Sequence, residues 1–285
     1  MKKIFYPVFI MLGIITLTFS ACKKDKTAVD DQDISYVQEN AQADETLTDL
    51  FTVISGLSSV NPDLSDVEAT KVQSDSKVNI DPSNDCAPTI TITSHVNPWP
   101  RTVTFDFGDG CVNNGVTRKG KIIASFTKPF KDNGSQITIT FNGFSVNNAK
   151  IEGTKTITNN GKNAAGNYTF SVLASKININ SNGASVSWNS NKTIEWLQGE
   201  STQLPEDDIF SITGTASGTG AKGREFTVTI TKPLIKNVAC PFLIGGVLEV
   251  KSGEFVRTLD YGSDDCDAKA IISIKGTSKE IILKK

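Results

Sequence analysis

The chain reads as mainly β: one large antiparallel meander, as a curled sheet, half-barrel or sandwich, with one N-terminal amphipathic helix packed on it. Three observations predict this. Apolar and polar residues alternate with a period of two through most of 86–285, as where Val103, Phe105 and Phe107 oppose Thr102, Thr104 and Asp106. Asn-Gly pairs punctuate these runs at Asn133-Gly134, Asn142-Gly143, Asn160-Gly161 and Asn182-Gly183, and Asn-Gly supplies the positive φ angles of a tight hairpin turn. One β unit also occurs twice. Thr104-Phe105-Asp106-Phe107-Gly108 leads to Cys111, and Thr258-Leu259-Asp260-Tyr261-Gly262 leads to Cys266. Thr104 follows Cys86 by 18 positions, and Thr258 follows Cys240 by 18.

The bulk numbers exclude more than they assign. At 285 residues the chain can hold one large β domain or two modest ones. A net charge of −2 offers no global basic field for nucleic acid. A single histidine, His95, removes most metal and acid–base constellations. No cofactor and no metal are implied, and no catalytic residue is assigned.

The N-terminus comes first in order. Lys2 and Lys3 precede an apolar run from Ile4 to Phe19, then Ser20-Ala21-Cys22, the layout of a secretory signal over 1–21. The run is short for a spanning helix, and Pro7 and Gly13 weaken it further. Phe19-Ser20-Ala21-Cys22 resembles a lipobox, with Phe where the motif usually has Leu. That resemblance implies acylation of Cys22 as the first mature residue. The residue after the Cys is Lys23 rather than the Asp of inner-membrane retention, which implies the outer membrane.

A polar tether follows over 22–32. From Asp33, a candidate N-cap, the apolar positions Ile34, Val37, Ala41, Leu47, Leu50, Phe51, Ile54 and Leu57 fall on one helical face. This predicts a helix over 33–57, stopped at Gly56. Its polar face carries Glu39, Asp44, Glu45 and Asp49, which favours packing on the β domain over lying on an anionic membrane. Residues 58–85, with Pro62, Pro82 and many Ser and Asp, read as a linker.

The β domain then occupies 86–285, with the duplicated unit at 86–111 and 240–266. No strand–helix–strand alternation calls for a parallel sheet. Outward positions are too rich in Thr, Asn, Ser and Lys for a lipid-facing barrel wall. Apart from Cys22 there are Cys86, Cys111, Cys240 and Cys266. An even number in an exported chain reads as two disulfides, and the repeat selects Cys86–Cys111 and Cys240–Cys266 from the three pairings.

Candidate binding groups are few. Trp99, Trp188 and Trp196 could stack on a sugar ring or apolar ligand, although Trp188 is in phase with Val186 and so equally a core residue. Glu195, Glu200, Glu206 and Asp207 cluster after Trp196, a weak hint of glycan chemistry. Asp106 with Asp109, and Asp260 with Asp264, Asp265 and Asp267, are either turn caps or oxygen ligands for calcium. No Gly-x-Ser-x-Gly elbow, P-loop or His-Glu-x-x-His is present.

Together, the lipobox, the acidic helix, Phe105-Asp106-Phe107-Gly108-Asp109-Gly110-Cys111, Gly120-Lys121-Ile122-Ile123, Ile139-Thr140-Phe141 and Thr258-Leu259-Asp260-Tyr261-Gly262 resemble those of Bacteroidota outer-membrane lipoproteins. The resemblance implies an exported, β-rich lipoprotein attached to the membrane by its lipid, and carries over no catalytic residue. Its expected role is non-enzymatic binding or structure, with a glycan or an envelope protein as partner. The alternative expectation is a surface lipoprotein that binds or processes glycans.

Overall fold

The computed structural model describes residues 38, 48, 50–58, 64, 70–71, 88–94, 99–113, 116–181, 184–220, 222–263 and 265–283. The strands are β1 (Thr70–Lys71), β2 (Thr89–Ser94), β3 (Arg101–Asp106), β4 (Cys111–Asn113), β5 (Val116–Phe126), β6 (Gln136–Val146), β7 (Ala149–Lys162) and β8 (Tyr168–Ser181). They continue with β9 (Ala184–Gln198), β10 (Ile209–Thr219), β11 (Glu225–Asn237), β12 (Leu243–Ser252), β13 (Phe255–Ser263), β14 (Lys269–Ile274) and β15 (Thr277–Ile282). All pair antiparallel in one sheet, each next to its neighbour in sequence, with β4 as a short branch on β5. Among the described residues the edge strands β1 and β15 do not pair with one another, so the sheet does not close into a barrel. Helical residues are described at 38, 48 and 50–58, and no described helix is long and apolar enough to cross a membrane.

The sheet curls around the helix. Inward residues from distant strands, among them Phe105, Phe126, Ile157, Phe170, Trp196, Phe210, Leu248 and Ile272, join one core that includes Leu50, Phe51, Ile54 and Leu57 of the helix. Phe51 is its hub. Its ring lies 5.2 Å from Phe170 on β8, 5.2 Å from Phe210 on β10, and 6.0 Å from Phe130 in the β5–β6 link. Tilted aromatic contacts at such distances add to the area that each ring removes from water.

A row of bulges lets long strands bend this far. The register shifts between Lys119 and Lys121, Thr140 and Ser145, Glu152 and Thr154, Ala174 and Ile177, and Ile212 and Thr215. The first four line up across successive strands, and a bulge both bends its strand and increases the local twist. Two glycines make the close approach possible. A Cβ on Gly120 (φ +78°) would lie 2.3 Å from the Gly143 carbonyl oxygen, and one on Gly153 (φ +121°) would lie 2.5 Å from that of Lys176.

Several local expectations need correcting. Asn142-Gly143 and Asn160-Gly161 lie inside β6 and β7 at bulges rather than in hairpin turns. Positive φ serves a bulge as well as a turn, so the dipeptide alone does not separate them. The β6–β7 turn is instead Asn147-Asn148, with φ of 48° and 65°, and the β14–β15 turn is Lys275-Gly276. Asn133-Gly134 lies in the β5–β6 link, and Asn182-Gly183 lies outside the described residues. Gly56 does not end the helix, which runs on to 58. It packs against Pro205 instead, whose ring a Cβ there would touch at 3.4 Å. The expected linker 58–85 contributes β1, paired to β2, and Leu64, which is fully buried with its carbonyl accepting from Arg101 Nη1.

Candidate functional site

The duplicated unit is the first candidate. Phe105 on β3 is flanked by Ile90 and Ile122, and Leu259 on β13 by Leu248 and Ile272. Both side chains are buried. In each copy the Asp closes the same local loop: Asp106 Oδ1 accepts from Gly108 N at 2.9 Å, and Asp260 Oδ1 accepts from Gly262 N at 2.9 Å. Asp beside Gly is therefore a turn former in both places. Lys121 Nζ lies 2.8 Å from Asp106, and this bond, together with that from Gly108, holds the Asp106 carboxyl below its ordinary value. Among the described residues no group of three His, Cys, Asp or Glu side chains is placed to hold a metal ion. Asp264 lies outside them.

Cys240 and Cys266 form a disulfide, with Cα atoms 5.6 Å apart, across the base of the β12–β13 hairpin. Cys111 is also disulfide-bonded. Cys86, Cys22 and His95 lie outside the described residues.

The tryptophans are placed differently from what a stacking role requires. Trp188 and Trp196 are each 0% exposed, so neither ring presents a face to a ligand. Both occupy the inner positions of β9, where alternation and a curved sheet put large aromatics into the core. Trp99 is half-buried, with the Arg101 guanidinium 5.3 Å from its ring centroid.

The acidic stretch after Trp196 does come together, around a residue that sequence reasoning passed over. Trp196 Nε1 donates to Asp208 Oδ1 at 3.0 Å. Asp208 is 1% exposed, and its Oδ2 is buried without a hydrogen-bond partner. Pro205–Asp207 forms one 3₁₀ turn just before it. The Asp208 carbonyl accepts from Val238 N at 3.0 Å, which ties the β9–β10 loop to the segment leading to Cys240. Burial pushes the Asp208 carboxyl up to about 7, helped by Asp207 and Glu206 and opposed by the Trp196 hydrogen bond and Lys131.

Cations brace the same loop from outside. Lys131 Nζ donates to the Glu200 carbonyl at 2.6 Å and lies 4.9 Å from the Trp196 ring centroid. Lys162 pairs with the Glu200 carboxylate at 2.7 Å. Glu195 Oε1 accepts from Asn163 and Asn167 at 2.8 and 2.9 Å. Chemically, Asp208 can hold or release a proton near neutrality, but the indole occupies one oxygen and protein covers the other. The local signal that could have marked it is the short Trp196–Asp208 span bridged by a proline turn.

No family model, curated protein or solved structure matches this chain.

Proposed function

We propose that this chain is a lipid-anchored protein of the cell envelope, acylated at Cys22 and held at the outer membrane, with a non-enzymatic binding or structural role. The observation that carries the reading is Phe19-Ser20-Ala21-Cys22 behind a basic, then apolar, N-terminus. The Cys240–Cys266 bridge supports it, because such bonds persist in oxidising compartments outside the cytoplasm. A core in which Trp188, Trp196 and Asp208 are all consumed by packing also favours a scaffold over a catalyst. The test is fatty-acid labelling with membrane fractionation of the wild type and of Cys22→Ser. Label and membrane association in the wild type alone are expected. A wild type that takes no label and fractionates as a soluble protein overturns the reading.

A further inference from the structure

The antiparallel order puts every second connection at the same end of the sheet. One end gathers the β5–β6, β7–β8, β9–β10, β11–β12 and β13–β14 links, and the other gathers β6–β7, β10–β11, β12–β13 and β14–β15 with β4 and the start of β5. The two ends differ in charge. The first carries Asp132, Glu200, Glu206, Asp207, Asp265 and Asp267 against Lys128, Lys131 and Lys162, the last paired with Glu200, and is net negative. The second carries Lys119, Lys222, Arg224, Lys251 and Lys275, all exposed. At this second end Lys121 and Lys150 are neutralised by Asp106 and Glu152. Asp109, Glu225 and Glu254 also lie there, and the end remains net positive.

Both ends expose apolar side chains, Leu204 and Ile282 at the acidic end being 47% and 59% exposed, but at the basic end they stand among cations. Val112 on β4 is 53% exposed, and Phe255 and Val256, just after the β12–β13 turn, are 37% and 39% exposed. The Phe255 ring has the exposed Lys275 Nζ 5.1 Å from its centroid and the buried Arg257 guanidinium 5.5 Å from it. Cations beside apolar tips suit an anionic bilayer, where lysine and arginine meet phosphate headgroups and the apolar groups enter the interface. An acidic protein would use the charges and leave the apolar tips without a purpose.

We propose that this basic end docks on the anionic phospholipid headgroups of the membrane that anchors the chain, leaving the acidic end pointing away. The inference deepens the lipid-anchor reading and rests on it. The tether permits the orientation. Gln38 lies toward the acidic end, where its side chain donates to the Ile282 carbonyl. Fifteen residues lie between it and Cys22; with 22–32 extended and the predicted helix from 33, they reach roughly 45 Å. The longest strand, β9 with 15 residues, rises about 46 Å along its path, and less from end to end where the sheet bends.

Amide exchange of the full chain, on bilayers containing phosphatidylglycerol and on pure phosphatidylcholine, tests this. Slowed exchange at 222–225 and 251–256 on the anionic bilayer alone is expected, with 199–208 unchanged. In the charge-reversed Lys222→Glu/Arg224→Glu/Lys251→Glu variant that protection disappears, the binding falling about fivefold or more for each cation removed. Equal exchange on both bilayers, protection that survives the reversal, or protection at 199–208 instead overturns the proposal. Acylation is read separately from the mass of the mature N-terminus. An acylated chain without the exchange signature therefore sinks the docking alone, while an unmodified Cys22 sinks the anchor.

Discussion

The two copies of the Cys-bounded unit share their core residue and their Asp–Gly bond but use them to different ends. In the first copy β3 stops at Asp106, and Gly108 turns the chain toward β4, which pairs with the start of β5. In the second, β13 runs on past Asp260 to Ser263, and the register shifts between Gly245 and Val247 opposite that stretch. One local hydrogen bond thus ends a strand in one place and kinks a strand in the other. The flanking strands decide which: Lys121 stands opposite Asp106, whereas Ile271 stands opposite Asp260. The second copy is also stapled by Cys240–Cys266 and tied to the β9–β10 loop through Val238 and Asp208.

This comparison can be broken most forcefully at the shared core position. Phe105→Ala and Leu259→Ala should each lower unfolding free energy by about 2–5 kcal/mol, because both side chains are essentially unexposed. Urea unfolding of both variants checks this. A cost below ~1 kcal/mol for either would mean that its unit stands outside the common core.

Asp208 gives the next largest effect, and it belongs to the second copy's side. Its carboxyl titrates near 3.8 when unfolded but only at about 7 when folded. The folded state therefore binds more protons between these values, and stability falls as pH rises through that window. The full loss is up to about 4 kcal/mol above pH 7. Asp208→Asn should flatten that part of the pH profile and match or exceed the wild type above neutrality. Denaturation midpoints measured across the window decide it, and a variant that keeps the wild-type slope removes Asp208 as the cause.

Replacing both Cys240 and Cys266 by Ser should cost about 3 kcal/mol for a separation of 26 residues. Non-reducing peptide mapping should recover Cys240 linked to Cys266, and a cross-unit bridge would end the parallel between the copies. The smallest effect separates the two Asp residues. Asp106→Asn loses the Lys121 pair and should cost under about 1 kcal/mol, since that pair is partly exposed. The Asp106 contribution is present above the ordinary carboxylate range and is lost as pH falls through the lowered folded value. Asp260→Asn should be smaller still, because an Asn oxygen can still accept from Gly262. Equal acid sensitivity in the two variants would erase the distinction.

Much of this architecture was legible locally, and the failures are instructive. Period-two alternation located the strands because a half-buried sheet must put every second side chain inward. Asn142-Gly143 and Asn160-Gly161 were misread as hairpin turns because positive φ is a backbone need common to turns and bulges. The aromatic platform idea failed at Trp188 and Trp196 because a ring on an alternating strand faces inward or outward according to phase and curvature. Asp208 was missed because the short proline-bridged span from Trp196 signals nearness only, not that the carboxylate will be folded beneath the indole.

By itself the sequence determined the class of structure and the doubled unit, since both rest on periodicity and spacing, and its N-terminal motif carries the proposed envelope location. Only the tertiary structure decided that the sheet curls without closing, that Phe51 of the helix fills it, and that charges distant in sequence collect at opposite ends. Curvature is set by bulges acting in register across many strands, and which turns share an end is set by the order of pairing. Neither quantity belongs to any one segment.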